Sequence, residues 1–509
     1  MKPVFIKLIA VFSLVILVYI ACDKKALNVA PPTPTEESYF SSETEFRTAV
    51  VGVYASIVDY YSSSNTAGGS GSAESETFLL PGDDLTVNAA EAYEIFSGIN
   101  PDAAKLGQIF GSSYILIGRA NTVLEKLRTV KDGIFTTPNL KNYNIGEMLF
   151  LRAFAHFTLW NLFGTAPVDT IRLVSTSQLN PPSSKGTELL DQAILDLQQA
   201  ATLLPTTPWD AANVGRATAN SAYGLLGKCL VFRATVNKST SDYTAAIDAF
   251  NKLNGVSLTV NFEDNFDVNK ENNQESLFEF QAGVPIAGSG TTNYWLSNDA
   301  VNIGVASAYY GSFGAPSGNQ YVGGGTYVAT SKLMNIFDPA DPRLPLTLTT
   351  GSGTINKYIL HDKTEGCCGI TSVNNTRILR YADVLLLQAE AVLQSGGIPS
   401  TAIGLINRVR ARARNMVSGG TVPADLDVNN TDKTTIMQWI MDERLRELAA
   451  EGHRWYDLRR WALAGMLTLN NSFFSSVATN LSFDAHYLNF PIPSSETSKN
   501  PNITQNSGY

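Results

Sequence analysis

Charge and sulfur are both scarce in this chain. Of its 509 residues only 16% are Asp, Glu, Lys or Arg, four are Cys and four are His. The 46 acidic residues outnumber the 37 basic ones, for a net charge of −9. That balance excludes the clustered cationic footprint that nucleic acid requires. Four cysteines in so long a chain exclude a disulfide-built scaffold. The histidines, at positions 156, 361, 453 and 486, are too scattered for a paired metal motif such as His-x-x-x-His. A Gly-x-Ser-x-Gly elbow and a phosphate-binding Walker loop are also missing. Beyond the first 21 residues no stretch approaches 18 continuous apolar residues, so the sequence predicts no helix there that could span a bilayer. What is present is 44% hydrophobic residues and 10% aromatics, including 20 Tyr and 6 Trp. This is a globular composition, long enough for one large α-rich domain or two or three smaller ones.

Residues 1–21 read as a signal peptide. Lys2 and Lys7 precede an apolar run from Leu8 to Ala21, too short to cross a bilayer comfortably. The run ends at Tyr19-Ile20-Ala21-Cys22 and is followed by Asp23-Lys24-Lys25, which resembles a bacterial lipobox, although Tyr19 stands where Leu is usual. In that reading Cys22 carries the lipid and becomes the mature N-terminus, anchored to a membrane without spanning it. Residues 22–36, with Ala30-Pro31-Pro32-Thr33-Pro34, form a semi-rigid tether. Among the other cysteines, Cys229 lies in an apolar helical run and reads as a small buried hydrophobe. Cys367-Cys368 sits in a Gly-containing loop, where a vicinal disulfide is open to it. A metal role would need more ligands than the nearby His361.

Helical periodicity begins near Ser42 and is interrupted by a Ser/Gly-rich loop over 62–72. It returns at 103–130, 143–163, 186–204, 215–237 and 242–254. Within the second of these, Leu149, Ala153, Phe157 and Trp160 form one apolar stripe. These helices come in pairs with short links, as helix-pair repeats do. Between about 255 and 360 Gly, Ser, Asn, Thr and Tyr dominate, with short β-type runs such as 276–281, which predicts a loop-rich, partly β subdomain. Helix is expected again at 377–395, 399–415 and 433–466.

Several segments carry a family resemblance. They are Glu147-Met148-Leu149-Phe150-Leu151-Arg152-Ala153 with Phe163-Gly164-Thr165-Ala166-Pro167, Gly215-Arg216-Ala217-Thr218, Asp338-Pro339-Ala340-Asp341-Pro342-Arg343, Leu379-Arg380-Tyr381-Ala382-Asp383 running to Ala389-Glu390-Ala391, and Ile406-Asn407-Arg408-Val409-Arg410-Ala411-Arg412-Ala413. They continue through Glu443-Arg444-Leu445-Arg446-Glu447-Leu448 and Glu451-Gly452-His453-Arg454-Trp455-Tyr456-Asp457-Leu458-Arg459-Arg460-Trp461. The last are Pro491-Ile492-Pro493 and the ending Thr504-Gln505-Asn506-Ser507-Gly508-Tyr509. In this order and over nearly the whole mature chain, the set resembles the SusD/RagB family of nutrient-binding lipoproteins. The resemblance implies a mostly α fold over 37–509, a tetratricopeptide-like helix-pair scaffold with the loop-rich part inserted before the C-terminal helices. It implies a non-enzymatic binder on the outer membrane, facing the exterior, that captures oligosaccharide and passes it to a SusC-like TonB-dependent transporter. Capture of peptide or another small nutrient, or a purely structural assembly role, is the alternative. It implies no cofactor; a bound Ca²⁺ is compatible with it but not predicted.

The motifs themselves read as scaffold. Glu443, Glu447 and Glu451, spaced i, i+4, i+8 and interleaved with Arg444, Arg446 and Arg454, suit ion pairs within and between helices. Arg380 and Glu390, on an otherwise apolar segment, are expected to bury as paired charges. Glycosidases need two carboxylates on either side of a sugar ring, and Glu443 and Glu447 share one helix face. Asp83-Asp84 and Asp338 with Asp341 have no second acid assigned to them by the sequence. His156, among Phe154, Phe157 and Trp160, reads as a satisfied core histidine. Sugar stacking needs exposed rings on loops, so the candidates lie in 76–100 and 290–330: Trp295 first, Tyr310 and Tyr93 next, then Tyr294, Tyr309 and Phe96.

Overall fold

Ser42 opens the first long helix, α1 (Glu43–Tyr54), where its side chain accepts from the Glu45 amide and Glu45 reaches back to the Ser42 backbone. In this computed structural model the residues described are 36–61, 75–87, 91–131, 133–283, 313, 327–358 and 372–509. The long helices that follow are α2 (Ala104–Thr129), α3 (Leu140–Phe163), α4 (Glu188–Leu203), α5 (Ala219–Asn237) and α6 (Thr240–Phe250). The C-terminal set is α7 (Tyr381–Gln394), α8 (Pro399–Arg414), α9 (Lys433–Leu448) and α10 (Arg454–Leu463). Consecutive helices pack on one another from α2 to α6 and again at α7–α8, while α5 and α6 pack on α7 to join the two sets. The fold is mostly α and built from helix pairs. Among the described residues no helix is long and apolar enough to cross a membrane.

The apolar stripe predicted on α3 understates its position. Every residue from Gly146 to Phe163 is buried, so α3 is the central helix and not an amphipathic one. Its polar side chains are therefore held internally. Glu147 takes two hydrogen bonds from Arg216, at 2.6 and 2.7 Å, and one from the Tyr54 hydroxyl. Arg152 is bidentate on Asp196. His156 is fully buried, yet neither ring nitrogen has a partner; the expectation of a satisfied histidine is corrected to an unsatisfied one. Burial, and next the Arg152 charge, push its pKa down to about 3, so the ring stays neutral. Small residues set the helix spacing: a Cβ on Gly227 of α5 would overlap the Phe250 ring of α6. Cys229, two residues on, is buried as expected.

Two expected helices are interrupted, each for a visible reason. The predicted helix 377–395 begins instead as strand β4 (Thr376–Arg380), antiparallel to β2 (Ser276–Phe280) with Phe280 opposite Thr376. The predicted helix 433–466 breaks after Leu448, where Ala450 and Gly452 adopt left-handed backbone at φ 60° and 79°. Buried cations satisfy the carbonyls freed there. Lys357 Nζ donates to Glu447 O and Ala449 O at 3.0 and 2.9 Å, and Arg380 Nη2 donates to Glu447 O.

The acidic motif is the hub of this region. Glu447 accepts from Arg380 at 2.7 Å, from Arg343 at 2.9 Å and from Arg412. Arg343 also binds Glu443 and Asp341, and Arg380 also binds Glu275 and Glu451. Burial disfavours the Glu447 charge, but Arg412, Arg380 and Arg343 outweigh it and hold the carboxyl far below its usual range. A second network joins Lys228, Arg444 and Arg460 to Asp383, Asp457 and Glu390. Arg380 and Glu390 are buried and paired as expected, though with different partners rather than each other.

Candidate functional site

The two loop regions expected to carry the ligand are joined in space. Strand β1 (Leu85–Thr86), from the first, pairs antiparallel with β3 (Val328–Ala329), from the end of the second, with Leu85 opposite Ala329 and Thr86 opposite Val328. The junction is fastened by Asp83. Its carboxylate binds Arg454 of α10 bidentately and Lys332 just after β3. Its carbonyl accepts from the Thr330 hydroxyl at 2.8 Å. Burial would raise its pKa, but the Arg454 and Lys332 cations prevail and hold it at about 2.

Asp84 is the opposite case. It is 2% exposed; Oδ2 accepts from the Ala450 amide at 3.2 Å and Oδ1 has no partner. Burial first and the Asp83 charge second push its pKa up to about 6. A carboxylate pair with pKa values driven apart can mark acid–base catalysis. Here both side chains are buried, Asp83 on the Arg454 and Lys332 side chains and Asp84 on the Ala450 amide, so their bonds tie distant segments together. Among the described residues, no cluster of three or more His, Cys, Asp or Glu side chains is placed to hold a metal ion.

The structure corrects two of the candidate rings. Phe96 is fully buried, its own backbone left-handed at φ 52°, with its ring against Trp455, Phe474, Phe483 and Tyr487. Tyr93 is 6% exposed and sits edge-on to Phe490. These rings close a core under their loop, because the C-terminal segment folds over them, and neither offers a face to a sugar. Trp295, Tyr294, Tyr309 and Tyr310 lie outside the described residues, as do Cys22, Cys367 and Cys368. Lys332, Thr330 and Arg454 fasten the face and are absent from the candidates above. No local signal marks Lys332, which lies 249 residues from Asp83, and the motif that holds Arg454 does not point to Asp83 as its partner. Trp209 is also absent from them, although its loop Thr206-Thr207-Pro208-Trp209-Asp210 meets the criterion that selected Trp295.

An aromatic cavity behind this face is bounded by Tyr61, Phe78, Phe154, Phe157, Phe278 and Tyr456. Its volume of about 40 Å³ accommodates water but no sugar ring. It belongs to the core.

Residues 27–230 match the family model for starch-binding proteins associating with the outer membrane, and residues 338–509 match the SusD family model. The chain belongs to the SusD/RagB family. It is 26% identical to the SusD-like protein P2 of Formosa agariphila, over 98% of this chain and 99% of that one. It is 26% identical to the starch-binding protein SusD of Bacteroides thetaiotaomicron, over 71% and 72% of the two chains. A solved laminarin-binding SusD-like protein superposes with a TM-score of 0.71 at 25% identity, covering 92% of this chain and 100% of that one. The motifs at 338–343, 379–391, 406–413 and 443–461 thus supply most of the charges in the two buried networks, with Glu275 and Lys228 completing them.

Proposed function

We propose that this protein is a non-enzymatic glycan-binding lipoprotein of the outer membrane. Cys22 anchors it, the ligand face looks outward, and the captured oligosaccharide passes to a SusC-like TonB-dependent transporter. The observation that carries this reading is the pairing of β1 with β3, which joins the first predicted loop region to the end of the second, in a chain whose relatives include a starch binder and a laminarin binder. Trp295 is the leading candidate for stacking, with Tyr310 next, then Tyr294 and Tyr309. Their segment, rich in Gly, Ser and Asn, supplies hydroxyl-reading groups without bulk. The acidic side chains nearest the face serve structure: Asp83 is neutralised by two cations, and Asp84 holds the turn at Ala450.

Titration calorimetry with starch and laminarin oligosaccharides tests the assignment. Trp295→Ala is expected to weaken binding by about 1–3 kcal/mol, the scale measured for bases stacked on rings, and Tyr310→Ala by less. Wild-type affinity in both variants would move the site elsewhere. Glycosidic cleavage by purified protein would overturn the non-enzymatic reading.

A further inference from the structure

We propose that the groove between the α4–α5 loop and the α6–β2 segment is a second carbohydrate site, for a neutral oligosaccharide of one or two rings. It lies on elements separate from the β1–β3 face. Its volume is about 350 Å³, inside the range of about 300–1,000 Å³ typical of small-ligand sites.

One fixed aromatic ring lines the groove. Trp209 is half-buried, and its indole N–H is spent on the carbonyl of Ala217 at 2.9 Å. The Arg216 guanidinium stacks over the ring at 4.2 Å from its centre, and Tyr143 meets it edge-on. A ring held on three sides keeps its orientation with or without ligand, so little order is lost on binding. Exposed Val214 extends the apolar strip beside it.

The walls carry amides and hydroxyls. Thr206, Thr207 and Gln274 are exposed, and among the described residues their side chains hold no hydrogen bond. Across the groove Asn220 and Asn254 clasp reciprocally, Nδ2 to carbonyl at 2.8 Å and amide to Oδ1 at 3.1 Å, which sets the turn at Gly255. The loop's other end is pinned at Gly215, φ 88°, where a side chain would collide with Gln281.

Charge decides the ligand class. Arg216 and Glu279 are the charged residues lining the groove, and both are buried and committed: Arg216 to Glu147, Glu279 to Arg377 and Asn375. No lining cation is left to neutralise a phosphate, sulfate or uronate, and no lining carboxylate to hold an amine. Fixed ring, free hydroxyls and amides, and no uncommitted charge together select a neutral polyhydroxylated molecule. The inference rests on the glycan reading above.

The test uses the whole protein labelled with fluorotryptophan, which gives one ¹⁹F resonance for each of its 6 Trp residues. Trp209→Phe assigns the groove signal and Trp295→Phe that of the main face. The probes are hexasaccharides of α-1,4-glucan, β-1,3-glucan, β-1,4-xylan and β-1,4-mannan, each titrated alone at millimolar concentration. At least one is expected to move the Trp209 resonance. Thr206→Arg, which fills the groove without touching Trp209's supports, is expected to weaken that response by roughly tenfold, the scale of a lost stacking contact. A panel that moves Trp295 but never Trp209 overturns the groove and leaves the glycan reading standing. A panel that moves neither overturns both.

Discussion

Replacing Glu447 with Ala removes an anion that three arginines share in a site sealed from water. Arg380 and Arg412 reach Oε1 and Arg343 reaches Oε2, and all four side chains are at most 6% exposed. Each arginine keeps another anion: Glu275 for Arg380 and Arg412, Glu443 and Asp341 for Arg343. The deletion therefore leaves one uncompensated positive charge, not three, and breaking a buried pair in this way costs about 3–5 kcal/mol. Unfolding entropy of about 2.1 cal/mol/K per residue makes that a fall of roughly 3–5 °C in Tm for a chain of this length. Thermal and urea unfolding of Glu447→Ala should show it. Glu496→Ala, which removes a surface partner of the exposed Lys499, should stay within about 0.5 kcal/mol of wild type. An unshifted midpoint with lost glycan binding in Glu447→Ala would refute the reasoning, since it would make Glu447 a ligand residue and not a scaffold one.

Three further outcomes are expected. Cys22→Ala should release the protein from the membrane fraction, and retention after a carbonate wash would dismiss the anchor. Asp84 has a folded pKa of about 6 against 3.8 unfolded, so the folded state holds more protons between those values and stability from this group rises as pH falls. Asp84→Asn, which keeps an acceptor for the Ala450 amide, should therefore stabilise at pH 8 by roughly 1–3 kcal/mol. That gain should shrink toward pH 4, and a gain equal at both ends of urea titrations would argue against a buried charge. His156 has its folded pKa lowered to about 3 from 6.5, so the folded state loses stability as pH falls through that window. His156→Leu should reduce the loss of stability as pH falls below about 6.5 and leave glycan binding unchanged, the paired carboxylates keeping their own acid sensitivity; lost binding would give the ring a role beyond packing.

Helix periodicity and capping are local, and most of the scaffold was legible for that reason. The Ser42 cap, the pairing of helices from α2 to α6 and the burial of Cys229 follow from residues within a few positions of one another. The Glu443–Glu447–Glu451 spacing announced ion pairs but pointed to the wrong arginines: of the interleaved Arg444, Arg446 and Arg454, Arg446 reaches Glu443, while Arg444 pairs with Asp383 and Asp457 and Arg454 with Asp83. Arg343 meets Glu447 across 104 residues of sequence, and the i, i+4 rule describes only neighbours on one helix. The break at Ala450 escaped for the same reason, because a lysine from position 357 caps the carbonyls that would otherwise have continued α9.

The binding rings divide along that line too. Gly, Ser and Asn around Trp295 speak for a loop from composition alone. Whether a loop ring is exposed depends on what folds over it. Phe96 and Tyr93 have the same local character, but the C-terminal segment carrying Phe474, Phe483, Tyr487 and Phe490 covers them. Trp209 shows the converse: its loop resembles any surface turn, and only the approach of the α6–β2 segment makes a groove beside it. Sequence by itself determined the family, the helical scaffold and the buried acids. Tertiary structure decided which aromatic rings water can reach, because burial is set by contacts between segments far apart in the chain.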